Sequence, residues 1–397
     1  MGSNGMKLYN TLTRETEEVK PLKGDEIRIY SCGPTVYDHI HIGNLASFIH
    51  ADALRETLKA EGYKVRHVMN ITDVDDKTIK RSREEYPDLE PKEALKKLTS
   101  KYEELFKKDM EEVGNDLSAI EFVRATDYIP RMQELIRKLH KGGFAYIADD
   151  GVYFSIEAYK KSGKTYGQLL EINSENTSKN RIANDEYDKE SAHDFALWKK
   201  VRPHEPSWDF ELGGKDLAGR PGWHIECSVM STDVLGQPFD IHTGGVDLIF
   251  PHHENEIAQS TAGKDEYLLA KLFFHNEHLL VDGKKMSKSL NNFYTLEDIT
   301  KKGIDPLAFR LLVLQSTPRN QANFSWEILQ AAQNRFNKLS GNDQTGKLTA
   351  QQQELIDSRE KARQDKDWVK SDELRKELEK QGIGVNDTDN GPVWFRL

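Results

Sequence analysis

The stretch Glu26-Ile-Arg-Ile-Tyr-Ser-Cys-Gly-Pro-Thr-Val-Tyr-Asp-His-Ile-His-Ile-Gly-Asn44 decides the fold. Its first six residues alternate in polarity and read as a strand. Cys32-Gly33-Pro34 is a turn. A helical pattern follows, with Leu45, Phe48, Ile49, Ala53, Leu54 and Leu58 on one face, and Gly62 is placed to end that helix. Lys64 to Met69 reads as a second strand. Strand, loop, helix and strand make a βαβ unit with parallel strands. The loop bearing Cys32 and His41 therefore lies at the carboxyl end of a parallel strand, where open α/β sheets bind ligands.

The chain has 397 residues, enough for two or three domains. No apolar run is long enough for a membrane helix, and no secretory leader is evident. Met1-Gly-Ser-Asn-Gly5 reads as an added remnant ahead of a native start at Met6. Two cysteines in a chain this long point to a reducing, cytoplasmic setting rather than a disulfide framework. A net charge of −10 disfavours a protein coated by nucleic acid, though a local basic surface can still grip a phosphate backbone.

Further along, Asn70-Ile-Thr-Asp-Val-Asp-Asp-Lys77 follows the second strand, with most of its aspartates suited to capping a helix. Residues 88–142 read as largely helical, 153–170 as short strand-like pieces and 171–192 as a polar loop. Pro221 to Cys227 leads into a helix through Leu235. Phe239 to His242 is a short buried strand that ends in Thr243-Gly244-Gly245. Pro251 then reads as the first position of a helix, which puts His252 and Glu256, four residues apart, on one face. One imidazole and one carboxylate are half of a tetrahedral zinc site, and either cysteine can supply a thiolate. The pair also suits an ordinary solvated helix start. After the turn Asp282-Gly283, Lys285-Met-Ser-Lys-Ser289 sets two lysines and flanking hydroxyls on a hinged loop that suits a polyphosphate.

Taken in order, His41-Ile-Gly-Asn44 and Lys285-Met-Ser-Lys-Ser289 resemble the two signatures of class I aminoacyl-tRNA synthetases. Cys32-Gly-Pro-Thr-Val-Tyr-Asp38, Asn70-Ile-Thr-Asp73, Asp194-Phe-Ala-Leu-Trp198, Arg220-Pro-Gly-Trp-His-Ile-Glu-Cys227 and Phe250-Pro-His-His-Glu-Asn-Glu-Ile-Ala-Gln259 narrow the resemblance to the cysteinyl-tRNA synthetase family. It covers about residues 6 to 330 and resumes near Ser358.

The resemblance implies an α/β fold: a class I synthetase Rossmann-like parallel sheet with a helical insertion, then a mostly α C-terminal region. The expected parts are a catalytic first half at 6–110, a connective insertion at 111–215, a catalytic second half at 216–275, a stem-contact region at 276–325 and a reduced anticodon-binding region at 326–397. The resemblance implies one zinc per chain on Cys32, Cys227, His252 and Glu256. It implies a cysteine pocket of Gly33, Thr72, Trp223 and His242, although His242 also suits a packed core. Thr35, His41, Gly43, Asn44, Gly244, Gly245, Asp247, Lys285 and Lys288 are the implied contacts of ATP, which arrives with magnesium. Of these, His41, Asn44, Lys285 and Lys288 carry the catalytic role. His39 and His253 are expected to be structural or to support the metal ligands from behind. The implied partners are L-cysteine, ATP and tRNA-Cys, with no membrane, and the chain is taken as a monomer. The implied reaction is activation to cysteinyl-adenylate and transfer to the terminal ribose of tRNA.

Two features depart from the family. Asn44 stands where the class signature has a second histidine, and an amide still donates to phosphate. Past residue 330 most of the usual helical bundle is missing, while the tail from Lys366 to Trp394 is kept. That departure admits two alternatives: a cysteine-activating ligase that couples cysteine to a small amine, as in thiol biosynthesis, and an inactive RNA-binding paralogue.

Overall fold

A computed structural model describes residues 5–170, 194–286, 290, 292–340, 348–388 and 391–396. The described residues form two compact units, 1–325 and 326–397. The first opens with a hairpin, β1 (Lys7–Asn10) and β2 (Glu15–Glu18). Then come β3 (Glu26–Ser31), α1 (Ile42–Ala60) and β4 (Lys64–Ile71), the expected βαβ unit. Gly62 follows α1 at φ +93°, a conformation that favours glycine. After β4 the chain forms α2 (Asp76–Glu85), α3 (Pro91–Glu112), β5 (Ile120–Arg124) and α4 (Ile129–Lys141). It continues through β6 (Ala145–Ile147), β7 (Gly151–Phe154), α5 (Ile156–Lys161), β8 (Phe195–Lys200), β9 (Glu211–Leu212), β10 (Lys215–Asp216) and β11 (Gly219–Pro221). It closes with α6 (Trp223–Leu235), β12 (Phe239–Gly245), α7 (Glu254–Thr261), β13 (Ala270–Asn276), β14 (Leu279–Val281), α8 (Leu296–Lys301), α9 (Pro306–Leu314) and β15 (Ala322–Phe324).

The central sheet has the order β13-β12-β3-β4-β5 and is parallel throughout. Successive strands step outward from β3 to β5, and the chain then returns to lay β12 on the other side of β3. The strand order therefore reverses between β3 and β12, and a crevice opens at their carboxyl ends. Alternation along β3 explains the two covered faces: Ile27 and Ile29 pack with Leu54 and Leu58 of α1, whereas Tyr30 joins the core around Val229 and Met230 of α6.

Two expectations are corrected. Residues 120–124 form an edge strand of the central sheet, although 88–142 reads as largely helical; five residues between two long helices are too short to show a period of their own. The stretch 111–215, expected to be a helical insertion, also holds β6, β7 and β8, three strands of an antiparallel sheet completed by β11. As expected, Pro251 stands at a helix start: Phe250 before it is extended, and residues 251–253 continue into α7 at Glu254.

The second unit consists of α10 (Trp326–Leu339), α11 (Ala350–Gln364), α12 (Trp368–Lys380) and a hairpin of β16 (Ile383–Thr388) and β17 (Gly391–Arg396). Ile356, Leu378, Ile383 and Val385 make its small core. Arg359 is buried beside them, its two terminal nitrogens on the Asp387 carboxylate at 2.7 and 2.9 Å. Such a fork lets a charge sit in a small core without an unmet donor at its tip.

Candidate active site

Four donors meet at the crevice. Cys32 directly follows β3, Cys227 lies in α6, and His252 and Glu256 flank the start of α7; all four are buried. Cys32 Sγ is 3.8 Å from Cys227 Sγ and 3.6 Å from Glu256 Oε1. Glu256 Oε1 is in turn 3.0 Å from His252 Nε2. One atom from each residue lies within 4.8 Å of all the others. Zinc bonds of about 2.3 Å to sulfur and about 2.0 Å to oxygen, set at tetrahedral angles, give a sulfur–sulfur edge of about 3.8 Å and a sulfur–oxygen edge of about 3.5 Å. The spacing of these donors therefore fits one zinc ion between them.

A second set, Cys32, His242, His253 and Glu256, overlaps the first. It offers one sulfur instead of two and suits soft-metal chemistry less well. Its histidines have other partners. His242 Nε2 is 2.8 Å from Glu256 Oε2, the carboxylate oxygen turned away from the sulfurs. His253 Nδ1 is 2.8 Å from His275 Nε2, while its Nε2 is 3.3 Å from Cys32 Sγ. On the far side of His252, its Nδ1 lies 2.9 Å from His224 Nδ1. The Trp223 ring stacks on His252 with centroids 4.1 Å apart. Cys32, His252 and Glu256 thus each have a further group against them, as metal ligands require.

The electrostatics favour a cation here. Burial opposes ionisation of Glu256, yet the neighbouring His242 and His252 hold its carboxyl well below the usual range. Burial likewise disfavours a charged His252, but the Glu256 carboxylate and the Cys227 sulfur raise it to about 10. Burial pushes the Cys227 thiol up; the Cys32 hydrogen bond and the His252 charge more than offset this and bring it down to about 6. Burial and the hydrogen bond to Cys227 push Cys32 well up.

Gly33, Thr72 and Trp223 surround this cluster. A Cβ on Gly33 would lie 1.7 Å from the Asn70 carbonyl oxygen, so only glycine permits that approach. Thr72 is buried with its hydroxyl on Glu226. His242, fully buried behind Glu256, touches the cluster from its protein side.

The second group of residues gathers around the amino end of α1. His41 is its N-cap, with Nδ1 accepting the Asn44 N–H at 3.2 Å. A helix start of this kind presents N–H groups to an anion. Ile42 N–H donates to the Tyr294 carbonyl at 2.9 Å, and the Met286 side chain reaches Gly43, where a Cβ would lie 2.4 Å from its methyl. The segment carrying Lys285 is thereby laid beside the helix start, with Lys285 itself exposed. Lys288 lies outside the described residues. Thr35 is held by a parallel bridge to Thr72. Gly244 and Gly245 end β12 close to His253 and Asp247 respectively, and Asp247 is exposed on the short turn that follows. Residue patterns alone give no role to His224, His275 and Glu226; His224 and Glu226 stand inside the quoted Arg220–Cys227 motif, and His275 stands in none.

Family models match most of the chain. One for the class I (C) tRNA synthetase catalytic domain covers residues 18–334, and one for the cysteinyl-tRNA ligase anticodon binding domain covers residues 345–394. The second match removes the ground for the small-amine alternative, which rested on a missing anticodon region. The chain is similar to the cysteine–tRNA ligase of Brachyspira hyodysenteriae, 45% identical over 84% of this chain and 68% of that one. It is 46% identical to that of Chlamydia muridarum, over 84% of this chain and 67% of the other. Nothing in these relatives supports an inactive paralogue. Among solved structures, Mycobacterium tuberculosis methionyl-tRNA synthetase in complex with methionyl-adenylate aligns with a TM-score of 0.55 at 12% identity, over 90% of this chain and 84% of that one, a likeness of fold. No helix among the described residues is long and apolar enough to cross a membrane. With its parallel sheet, its four-donor cluster and both matched domains, the chain belongs to the cysteine–tRNA ligase family of class I aminoacyl-tRNA synthetases.

Proposed function

We propose that the chain activates L-cysteine with ATP and transfers it to tRNA-Cys, with zinc held by Cys32, Cys227, His252 and Glu256. The observation that carries this reading is the donor cluster: two sulfurs 3.8 Å apart, with an imidazole and a carboxylate closing the set. Zinc there supplies a coordination position for the substrate thiolate, which the hydroxyl of serine, with its far higher pKa, fills poorly. An apolar pocket rejects so close an isostere only weakly, so selectivity rests on the donor set.

The remaining residues orient and stabilise. Gly33, Thr72 and Trp223 shape the pocket, and His242 holds Glu256 in place. Gly244 and Gly245 let the adenosine approach the backbone, Asp247 accepts from the ribose hydroxyls, and Thr35 borders the nucleotide. His41, Gly43 and Asn44 bind the phosphates at the start of α1. Lys285 and Lys288 neutralise charge on the α-phosphate and the departing pyrophosphate, with magnesium accompanying ATP. The cysteine carboxylate attacks the α-phosphorus in line, so catalysis is positioning and electrostatics with no protein nucleophile. The acyl group then passes to the terminal ribose of tRNA. The domain boundaries expected from the sequence, a cytoplasmic setting and a monomeric chain belong to the same reading; two buried, unpaired cysteines support the reducing compartment.

The test is transfer of labelled cysteine to a tRNA-Cys transcript beside one with a changed anticodon. Charging of the first alone is expected. If neither is charged while cysteine-dependent ATP–pyrophosphate exchange proceeds, the acceptor assignment is wrong.

A further inference from the structure

Glu226 neighbours Cys227 and none of the roles above uses it. It is fully buried; Oε2 accepts from the Thr72 hydroxyl at 3.0 Å, and Oε1 has no partner among the described residues. Thr72 Oγ1 also accepts from Asn70 Nδ2 at 3.1 Å. The other end of that amide, Asn70 Oδ1, accepts the Gly33 N–H at 2.8 Å and lies 3.6 Å from Cys227 Sγ. A backbone N–H can only donate, so Gly33 fixes which end of Asn70 faces it. Asn70 must then present its NH2 to Thr72, and Thr72 gives its single proton to the Glu226 carboxylate.

A hydroxyl has one proton and two lone pairs. With the proton given to Glu226 and one lone pair to Asn70, Thr72 keeps one lone pair and can meet a ligand only as an acceptor. A carboxylate or a thiolate finds nothing there; an ammonium does. Thr72 is 1% exposed, so a ligand meets it inside a closed site where little water competes for that lone pair.

We propose that Glu226 is a positioning residue that holds Thr72 as an acceptor-only contact for the α-ammonium of the substrate. The inference rests on the cysteine-site reading above and adds to it the part of the amino acid that Thr72 reads. It makes the site selective for an amine beside the thiol, separately from the selection of the thiol by the donor cluster.

The test uses calorimetric titration of zinc-loaded protein with L-cysteine and with 3-mercaptopropionate, which keeps the thiol and carboxylate and lacks the amine. Glu226→Met, which keeps the length and removes the acceptor, should weaken cysteine about ten-fold or more and leave 3-mercaptopropionate within about three-fold. Glu226→Gln, whose carbonyl can still accept from Thr72, should restore most of the cysteine affinity, a rescue that a purely structural role does not predict. Equal weakening of both ligands by Glu226→Met, or no change in either, overturns the proposal. Should Glu226→Met fail to fold, Thr72→Val takes its place, and an unchanged ratio of the two affinities overturns the proposal in the same way. Wild-type protein that binds neither ligand would instead overturn the assignment of the cysteine site.

Discussion

Replacing Glu256 by glutamine should weaken zinc and cysteine together. The change keeps the shape of the side chain and removes its charge. Oε1 lies 3.0 Å from His252 Nε2 and 3.6 Å from Cys32 Sγ, so it is one of four donors to a common centre. Four-ligand structural zinc sites bind with about 10–16 kcal/mol, and one ligand's share is about 3 kcal/mol, or about 100-fold in affinity. The amide also disturbs the contact with His242 Nε2 at 2.8 Å on the other oxygen. Competition against a chromogenic chelator reads the zinc affinity of the purified variant, and ATP–pyrophosphate exchange across a range of cysteine concentrations reads KM. An about 100-fold loss of zinc affinity with a parallel rise in cysteine KM is expected. Unchanged zinc affinity and unchanged KM would refute the ligand assignment.

Three further outcomes follow from the geometry. His67 is buried with Nε2 2.7 Å from Ser31 Oγ, and burial, with the Arg55 charge, lowers its pKa from 6.5 to about 3. Between those values the unfolded chain binds a proton that the folded chain does not, so stability falls as pH drops, by about 1.4 kcal/mol per unit; urea midpoints at pH 7 and pH 5 should differ more in wild type than in His67→Gln. Gly43→Ala would place a Cβ 2.4 Å from the flexible end of Met286, so thermal denaturation should shift little while the KM for ATP in pyrophosphate exchange rises several-fold, about 1 kcal/mol. Arg310, which donates to Asp52 Oδ2 at 2.5 Å and to Asn115 Oδ1 at 2.7 Å, ties α9 to α1; Arg310→Met should cost about 3 kcal/mol in urea denaturation by leaving buried acceptors short of a donor.

The first βαβ unit was legible because its periods are clean: β3 alternates, α1 repeats every three to four residues, and Gly62 marks the end. β5 was not, because Ile-Glu-Phe-Val-Arg is five residues long and lies among helices. The helix start at Pro251 was legible, since a proline before a charged run suits one; the extended Phe250 ahead of it shows only in the structure. Of the site, the four donors were legible through their motifs. Their supports were not, since His224, His275 and Glu226 carry no spacing of their own and acquire roles only when α6, α7 and β13 converge.

The contacts among the buried imidazoles have a consequence for where hydrogens reside. His224 Nδ1 faces His252 Nδ1, so only one proton fits between those two nitrogens. A cation on His252 Nε2 leaves the His252 proton on Nδ1, and His224 must then carry its own on Nε2. The same logic runs from His253 through His275 to Thr11 Oγ1, contacts of 2.8 Å each. The ring in the cluster therefore fixes the tautomer of a ring that never touches the centre, and nitrogen-15 resonances of His224 would show its proton on Nε2.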